Sequence, residues 1–173
     1  NDVEKELRPP LKLLWKREDA VGAQVVASTG LVFGLGGTDR IQLRAVNGAN
    51  GNVRWTDGSQ AAFPHRVAVR TGRVFASANF EGTWALSGGT GNPLWFRNLW
   101  ANELGFADGV VTNGYHGFSE STVETVWTLP WRCTGGGGDP YAIAGRTAYA
   151  SDFRGLQACD VGAADLKWFL EKP

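Results

Sequence analysis

Short apolar runs alternate with turn residues along most of the chain. Residues 25–27 and 66–69 are rich in valine and alanine, and each run is followed by a Thr-Gly pair and a second short run, at residues 31–33 and 73–75. Runs this short, with β-branched residues inside them and turn residues between them, predict strands rather than helices. Each unit of the pattern reads as strand, turn, strand, loop, strand, turn, strand.

The same unit recurs along the sequence with a nearly constant period. Its turn glycines, Gly30, Gly72, Gly109 and Gly145, are 42, 37 and 36 residues apart. Five of the eight tryptophans recur at intervals of 40, 40, 32 and 41 residues: Trp15, Trp55, Trp95, Trp127 and Trp168. A period of about 40 residues with four short strands per unit is typical of a β-propeller blade. The sequence therefore predicts an all-β fold, a β-propeller built of four-stranded antiparallel blades, with about four blades in this chain.

The residues before two of the tryptophans repeat at identical offsets. The shared types are alanine, a small polar residue, glycine and tryptophan: Ala45, Asn47, Gly51 and Trp55 in one copy, and Ala85, Ser87, Gly91 and Trp95 in the next. The glycine permits positive φ in a tight turn, and the small polar side chain can close that turn with a hydrogen bond. The tryptophan is expected to pack between neighbouring blades and to donate its indole N–H to a backbone acceptor.

This pattern resembles the tryptophan docking motif of PQQ-like propellers. That family includes the quinoprotein dehydrogenases and the propeller lipoprotein of the outer-membrane barrel-assembly machinery, and the resemblance covers nearly the whole chain. The fourth copy runs from Ala158 through Asp160 to Trp168, with Ala164 where glycine is expected. The third copy, ending at Trp127, is interpreted as having kept little besides the tryptophan.

One PQQ-like domain is expected over residues 1–173, with blades at roughly 16–55, 56–95, 96–127 and 128–168. In the family the motif tryptophan lies on the outermost strand of a blade. Residues 11–15 therefore read as an extra outer strand, which either closes the ring or pairs with another copy of the chain. Relatives have seven or eight blades, so four blades indicate a half-ring completed by a partner, or a fragment. A closed four-bladed ring would depart from the family.

The net charge of the chain does not indicate a particular class of partner. Seventeen Lys and Arg residues balance seventeen Asp and Glu residues, so no overall field favours nucleic acid or an anionic membrane. The apolar runs are also much shorter than the roughly 20 residues that span a bilayer. We therefore expect a protein partner or a homodimer, with no nucleic-acid partner and no direct membrane insertion.

Candidate chemistry is sparse in this sequence. By resemblance, a quinoprotein dehydrogenase would hold PQQ and Ca²⁺ beside a disulfide of adjacent cysteines, but Cys133 and Cys159 are 26 residues apart. A disulfide between these two and a pair of free thiols are both ordinary interpretations. His65 and His116 are 51 residues apart, and neither has a second ligand at helical metal-site spacing. We predict no cofactor, no metal site and no catalytic residue.

Residue types that hydrolases use in catalysis occur near His116, but the usual sequence motif is missing. Ser119 and Glu120 follow it closely, yet no Gly-x-Ser-x-Gly nucleophile motif is present. Two glycine-rich pieces, residues 34–37 and 135–138, lack the Lys-Ser/Thr of a phosphate-binding loop and are expected to connect strands.

Aromatic residues are concentrated around the degenerate third blade. They form either the core between blades or a contact surface for a partner, since aromatic residues dominate interface hot spots. The candidate partner contacts are Trp100, Tyr115 and Trp131.

These features favour a non-catalytic propeller scaffold for protein interaction, completed by dimerisation or by another chain. The alternative is a ligand-sensing or PQQ- or quinone-binding propeller within a larger receptor or quinoprotein oxidoreductase. A stoichiometric protein partner would favour the first function, and uptake of PQQ or metal would favour the second. By resemblance, the expected location is periplasmic or extracellular.

Overall fold

The computed structural model describes residues 13–37, 42–57, 64–78, 82–98, 104–112, 116–130, 133, 140–151 and 154–172. Within these residues the chain forms four antiparallel sheets, each of four strands that pair in chain order, and no α-helix. This arrangement confirms the all-β propeller predicted from the repeat. We call the four sheets blades 1 to 4.

Each blade uses four consecutive strands. Blade 1 contains β1 (Ala20–Ser28), β2 (Leu31–Gly36), β3 (Gln42–Asn47) and β4 (Val53–Thr56). Blade 2 contains β5 (Pro64–Arg70), β6 (Arg73–Ala78), β7 (Gly82–Ser87) and β8 (Pro93–Arg97). Blade 3 contains β9 (Gly105–Ala107), β10 (Val110–Thr112), β11 (His116–Ser119) and β12 (Thr125–Thr128). Blade 4 contains β13 (Pro140–Ala144), β14 (Thr147–Ser151), β15 (Gly155–Asp160) and β16 (Asp165–Glu171).

Tight turns join the first two strands of each blade. In blade 1, Thr29 and Gly30 both have positive φ, at 50° and 76°, and Gly72 and Gly109 take the same place in blades 2 and 3 with φ of 73° and 77°. Two central residues with positive φ are the signature of the hairpin turn whose twist matches that of its strands. The recurring glycine therefore sets the hairpin that opens each of blades 1, 2 and 3.

The glycine-rich piece at residues 34–37 was wrongly predicted to be a connection. Gly34 pairs with Val25 on one side and with Arg44 on the other, so it lies inside β2. A side chain at Gly36 would bring its Cβ to 2.9 Å from the Asp19 carbonyl oxygen. Glycine is needed here because two backbone segments approach closely, which is a common reason for glycine within a strand. Residues 135–138 lie outside the described residues.

Three apolar clusters hold successive blades together. The cluster between blades 1 and 2 contains Phe33, Leu43, Ala45, Trp55, Val67, Val74, Ala76, Ala78, Trp84 and Leu86. The cluster between blades 2 and 3 contains Phe75, Ala85, Val111 and Phe118, with Trp95, Leu104 and Phe106 packed against them. The cluster between blades 3 and 4 contains Leu129, Cys133, Ala148, Cys159 and Val161, with Trp127 and Ile143 packed against them.

Strand alternation explains how one blade serves two interfaces. Successive side chains of a strand point to opposite faces of its sheet. Val74 and Ala76 of β6 therefore join the cluster with blade 1, whereas Phe75 between them joins the cluster with blade 3. We call the side of a blade that carries Phe75, turned toward the next blade in the chain, its forward face.

Candidate functional site

The forward faces of three blades each carry an equivalent set of three residues at matching positions. An aromatic side chain on the second strand, an alanine on the third and a tryptophan on the fourth are directly paired across the sheet, and we call these three a docking triad. The triads are Phe33, Ala45 and Trp55 in blade 1; Phe75, Ala85 and Trp95 in blade 2; and Tyr149, Ala158 and Trp168 in blade 4. The aromatic ring lies 5.9, 5.9 and 6.2 Å, respectively, from the tryptophan ring.

The triads differ in how far they are covered. In blade 1, Phe33 is 1% exposed and Trp55 is 8% exposed, because blade 2 packs over both. In blade 4, Ala158 is fully buried but Trp168 is 43% exposed. The same arrangement of residues is therefore buried in one blade and open in another.

Three tryptophans donate hydrogen bonds to the blade that follows them. The indole N–H of Trp15 donates to the Gly48 carbonyl at 2.8 Å, and that of Trp55 donates to the Gly88 carbonyl at 2.9 Å. Trp95 donates in the same way to Glu120, at 3.1 Å. Each acceptor is at the same place, in the turn between the third and fourth strands of the next blade, which we call its outer turn. The bonds fix the position of one blade relative to the next, because each donor and acceptor has a set direction.

Two of these rings also lie directly over a glycine of the outer turn. Gly51 and Gly91 have φ of 74° and 75°. A Cβ at Gly51 would stand 2.9 Å from the Trp15 ring, and one at Gly91 would stand 2.7 Å from the Trp55 ring. The glycine therefore permits the positive φ of the turn and leaves room for the tryptophan ring.

An arginine two residues after the tryptophan forms a second contact of the same kind. Arg17 Nη1 donates to the Gly51 carbonyl at 3.1 Å, and Arg97 Nη2 donates to the Val123 carbonyl at 2.9 Å. Sequence reasoning missed both arginines. The signal that could have found them is the shared Trp-x-Arg spacing after Trp15 and Trp95.

The third blade keeps more of the repeat than the sequence indicated. In its outer turn Ser119 N–H donates to the Glu124 carbonyl and Val123 N–H donates to the Ser119 carbonyl. The matching turn of blade 1 has the same two bonds, from Asn47 and from Gly51. Val123 stands where glycine is expected and has φ of 63°. These two bonds, and the bonds from Arg97 to the Val123 carbonyl, hold a β-branched residue in a conformation that normally belongs to glycine.

The forward face of blade 3 is nevertheless different from the others. Thr112 pairs with Gly117, and Gly117 pairs with Trp127, so Thr112 and Gly117 replace the aromatic residue and the alanine of the triad. A Cβ at Gly117 would fall 2.2 Å from the Trp127 ring. The tryptophan ring therefore lies against its own sheet, in space that the missing side chains leave free.

Glu120 is a blade contact that sequence reasoning also missed. Its backbone carbonyl accepts the Trp95 indole, and its backbone N–H donates to Gly109. Its side chain is 6% exposed, and the carboxylate lies 3.2 Å from Arg70 Nε and 3.3 Å from the Thr71 hydroxyl, both in blade 2. A buried carboxylate needs a cation and hydrogen-bond donors to offset its desolvation. The pair adds an ionic contact to the interface between blades 2 and 3.

Asp160 closes the outer turn of blade 4. Its Oδ1 accepts the backbone N–H groups of Gly162 and Ala163 at 2.8 and 2.9 Å, and Arg146 and Lys167 lie 3.3 and 3.4 Å from its carboxylate. The Ala163 N–H, then the Gly162 N–H and the Arg146 charge, lower the pKa of Asp160 to about 2. In the same turn Ala164 has φ of 51°, at the place of the expected glycine.

A second carboxylate ties the segment containing Trp15 to blade 1. Asp19 forms a two-pronged ion pair with Arg17, at 2.9 and 2.6 Å, and also pairs with Arg44 of β3. The hydrogen bond from Arg17, followed by the bond and charge of Arg44, lowers the pKa of the Asp19 carboxyl. Residues 13–17 lie outside the four sheets, and residues 11 and 12 of the predicted extra strand lie outside the described residues.

The two cysteines form a disulfide, which decides the alternative that the sequence left open. Cys133, after blade 3, is joined to Cys159 in β15. Both are buried within the cluster between blades 3 and 4. This interface therefore has a covalent link in addition to its packing.

The remaining candidate residues are only partly described. His116 begins β11, with Nδ1 2.9 Å from the Thr128 hydroxyl, and burial lowers its pKa. Across the described ranges no three His, Cys, Asp or Glu side chains come together as metal ligands, and no helix there could cross a membrane. The side chain of His65 and the predicted partner contacts Trp100, Tyr115 and Trp131 lie outside what the structure describes.

Comparison with known proteins shows a fold and no family. No family model and no curated protein matches the chain. BamB from Moraxella catarrhalis is similar in structure, with a TM-score of 0.58 and 18% identity over 82% of this chain and 46% of its own. The quinohemoprotein alcohol dehydrogenase from Comamonas testosteroni has a TM-score of 0.61 and 17% identity over 89% of this chain and 35% of its own.

A designed protein is similar over nearly all of its length. The computationally designed Ika4 protein has a TM-score of 0.66 and 14% identity, over 87% of this chain and 96% of its own. The chain thus spans less than half the length of BamB and about a third of the quinohemoprotein, but almost the whole of Ika4. Such low identities establish the propeller fold alone.

Proposed function

We propose that this chain is a non-catalytic propeller module of the PQQ-like repeat type, which binds a protein partner and completes a larger propeller with it. The observation that carries the proposal is the contrast between covered and open docking triads. Blades 1 and 2 seat their triads against a following blade, while the triad of blade 4 has Trp168 43% exposed.

Side-chain chemistry supports a structural use of the polar residues. Arg17, Arg97 and Glu120 all direct hydrogen bonds or charges to a neighbouring segment of the propeller. The Asp160 carboxylate, whose pKa falls to about 2, is stabilised by the turn that it closes. Perturbed carboxyls also occur at catalytic sites, but here each cause is a contact that holds the fold.

Two of the three relatives in structure are consistent with a partial ring. The chain covers 46% of BamB and 35% of the quinohemoprotein alcohol dehydrogenase from Comamonas testosteroni. A module of this size needs further blades to make a ring of their length. The disulfide between Cys133 and Cys159 supports a periplasmic or extracellular location, since disulfides persist in oxidising compartments.

Two measurements test this function together. The immobilised chain should retain one protein at stoichiometric amounts from an extract of its source cells, identified by mass spectrometry. Equilibrium dialysis should show no uptake of PQQ in the presence of Ca²⁺. Stoichiometric PQQ binding with no retained protein would contradict the proposal and would favour the ligand-binding alternative.

A further inference from the structure

We propose that the forward face of blade 4 is a docking site for a blade of a different propeller polypeptide, whose outer turn is free to accept the Trp168 indole. The inference rests on the proposed function and names the surface and the chemistry of its partner. The site is the triad of Tyr149, Ala158 and Trp168, with apolar residues beside it.

Repetition within the chain identifies the occupant. Trp55 and Trp95 lie on the fourth strand opposite an alanine of the third, and each donates to a carbonyl in the outer turn of the next blade. Trp168 has the same place opposite Ala158. The forward faces of blades 1 and 2 each bind a following blade. Because the forward face of blade 4 carries the same triad, it fits another blade.

The surroundings of Trp168 form an apolar surface rather than a solvated edge. Leu156 and Leu170 are directly paired across β15 and β16, two residues from Ala158 and Trp168, and so share their face of the sheet. They are 40% and 64% exposed. Leu170 stands two residues after Trp168, where Arg17 and Arg97 stand after their own tryptophans. The contact with the partner is therefore more apolar at this point than the contacts at blades 1 and 3.

Blade 1 of a second copy of this chain is not the partner blade, because its outer turn is already occupied. The Gly48 carbonyl accepts Trp15 and the Gly51 carbonyl accepts Arg17 within the same chain. The Trp15 ring also covers Gly51. A head-to-tail dimer would have to displace both side chains and the ion pair between Arg17 and Asp19. The partner must instead bring a blade whose outer turn carries no tryptophan.

The first test compares two tryptophans at equivalent places. Trp55→Ala should lower the urea midpoint of unfolding strongly, because it removes a ring that blade 2 covers. Trp168→Ala should leave the midpoint of the isolated chain close to that of the wild type. Equal loss in both variants would mean that Trp168 is core of this chain, and would overturn the proposal.

The second test supplies an open blade directly. In the triple variant Trp15→Ala, Arg17→Ala, Trp168→Ala the outer turn of blade 1 is free, and the chain cannot dock onto itself. Light scattering after size exclusion should give about 18.6 kDa for the wild type alone. A mixture of wild type and the folded triple variant should give a 1:1 complex of twice that mass, and Trp168→Ala mixed with the triple variant should give none.

Three results would overturn the docking site. They are self-association of the wild type, a folded triple variant that binds no wild-type chain, and a complex that forms equally well with Trp168→Ala. If the triple variant does not fold, the comparison of Trp55→Ala with Trp168→Ala still decides the matter. A protein from the cell extract that is retained equally by wild type and Trp168→Ala would leave the proposed function standing and reject this surface alone.

Discussion

Blades 1 and 4 carry the same docking triad in different surroundings. The aromatic ring, the alanine and the tryptophan occupy matching places, and the ring separations differ only between 5.9 and 6.2 Å. Trp55 is 8% exposed and Trp168 is 43% exposed. The repeat therefore determines the shape of the forward face, whereas the presence of a following blade determines whether that face is covered and so contributes to stability.

Blade 3 shows the other way in which a face can change. Its following blade is present, but Thr112 and Gly117 have replaced the aromatic residue and the alanine, and the Trp127 ring fills the space that they leave. The interface with blade 4 then relies on Leu129, Val161 and the disulfide. An interface formed by a blade without the triad therefore requires different contacts.

The largest expected difference is between removing the aromatic residue of the blade 1 triad and removing that of the blade 4 triad. Phe33→Ala should cost about 3–5 kcal/mol of unfolding free energy, because it leaves a cavity in a buried cluster. Tyr149→Ala should cost about 1 kcal/mol or less, because no blade packs over its triad within the described residues. Urea unfolding of both variants measures the difference, and equal losses would refute the distinction between the two blades.

A smaller effect separates the two roles of Gly91 in the outer turn of blade 2, with Gly72 in the first hairpin of the same blade as the control. Gly72 and Gly91 have φ of 73° and 75°, but a Cβ at Gly72 would meet nothing within 4 Å, whereas one at Gly91 would meet the Trp55 ring. Gly72→Ala should therefore cost only the left-handed strain of about 1–2 kcal/mol. Gly91→Ala should cost about 1–3 kcal/mol more, because the ring must move.

One outcome of comparing Gly91→Ala with Gly72→Ala would contradict this role of Gly91. If Gly91→Ala and Gly72→Ala lower the unfolding free energy by the same amount, the ring of Trp55 does not depend on the glycine beneath it. Fluorescence of the tryptophans should also change in Gly91→Ala and not in Gly72→Ala.

Restoring glycine to the third blade should raise stability. Val123 is β-branched and has φ of 63°, so Val123→Gly relieves strain that exceeds the extra entropy of glycine in the unfolded chain. The expected gain is about 1 kcal/mol. Ala164→Gly, at φ of 51°, is the matched variant with a smaller expected gain. Thermal unfolding checks the order, and a loss of stability in Val123→Gly would show that its side chain is needed for packing.

The smallest effect is a pH dependence in the outer turn of blade 4. The folded pKa of Asp160, about 2, lies below the ordinary value of 3.8, so its contribution to stability is present above about pH 4 and is lost as the pH falls toward 2. Asp160→Asn should lower the thermal midpoint at pH 5 and bring the two proteins together near pH 2. A constant difference between them at both pH values would contradict this role.

Periodicity predicted the strands and turns because those features are local. Gly30 and Gly72 each determine a hairpin through their own φ values, and the tryptophans mark one strand per unit. The third outer turn was missed because Val123 adopts a conformation that its residue type does not indicate. Gly34 was misplaced because glycine in a strand and glycine in a loop look alike until the neighbouring backbone is known.

Contacts between blades were harder to predict than the blades themselves. Arg17, Arg97 and Glu120 act on backbone carbonyls or charges more than 20 residues away, so their roles depend on which turn lies opposite them. The exposure of Trp168 is invisible in the sequence, because its motif matches those of buried copies. The Cys133–Cys159 disulfide likewise required the two residues to be seen side by side.

Hydrogen exchange of the indole N–H groups, followed by NMR in the isolated chain, distinguishes a covered tryptophan from an open one. The Trp55 indole, which donates to Gly88 in a buried interface, should exchange slowly, and the exposed Trp168 indole should exchange nearly as fast as free indole. That result would show that the forward face of blade 4 is open in the isolated chain, as the docking site requires. Protection of Trp168 as strong as that of Trp55 would show that the chain already covers it, and would contradict the claim.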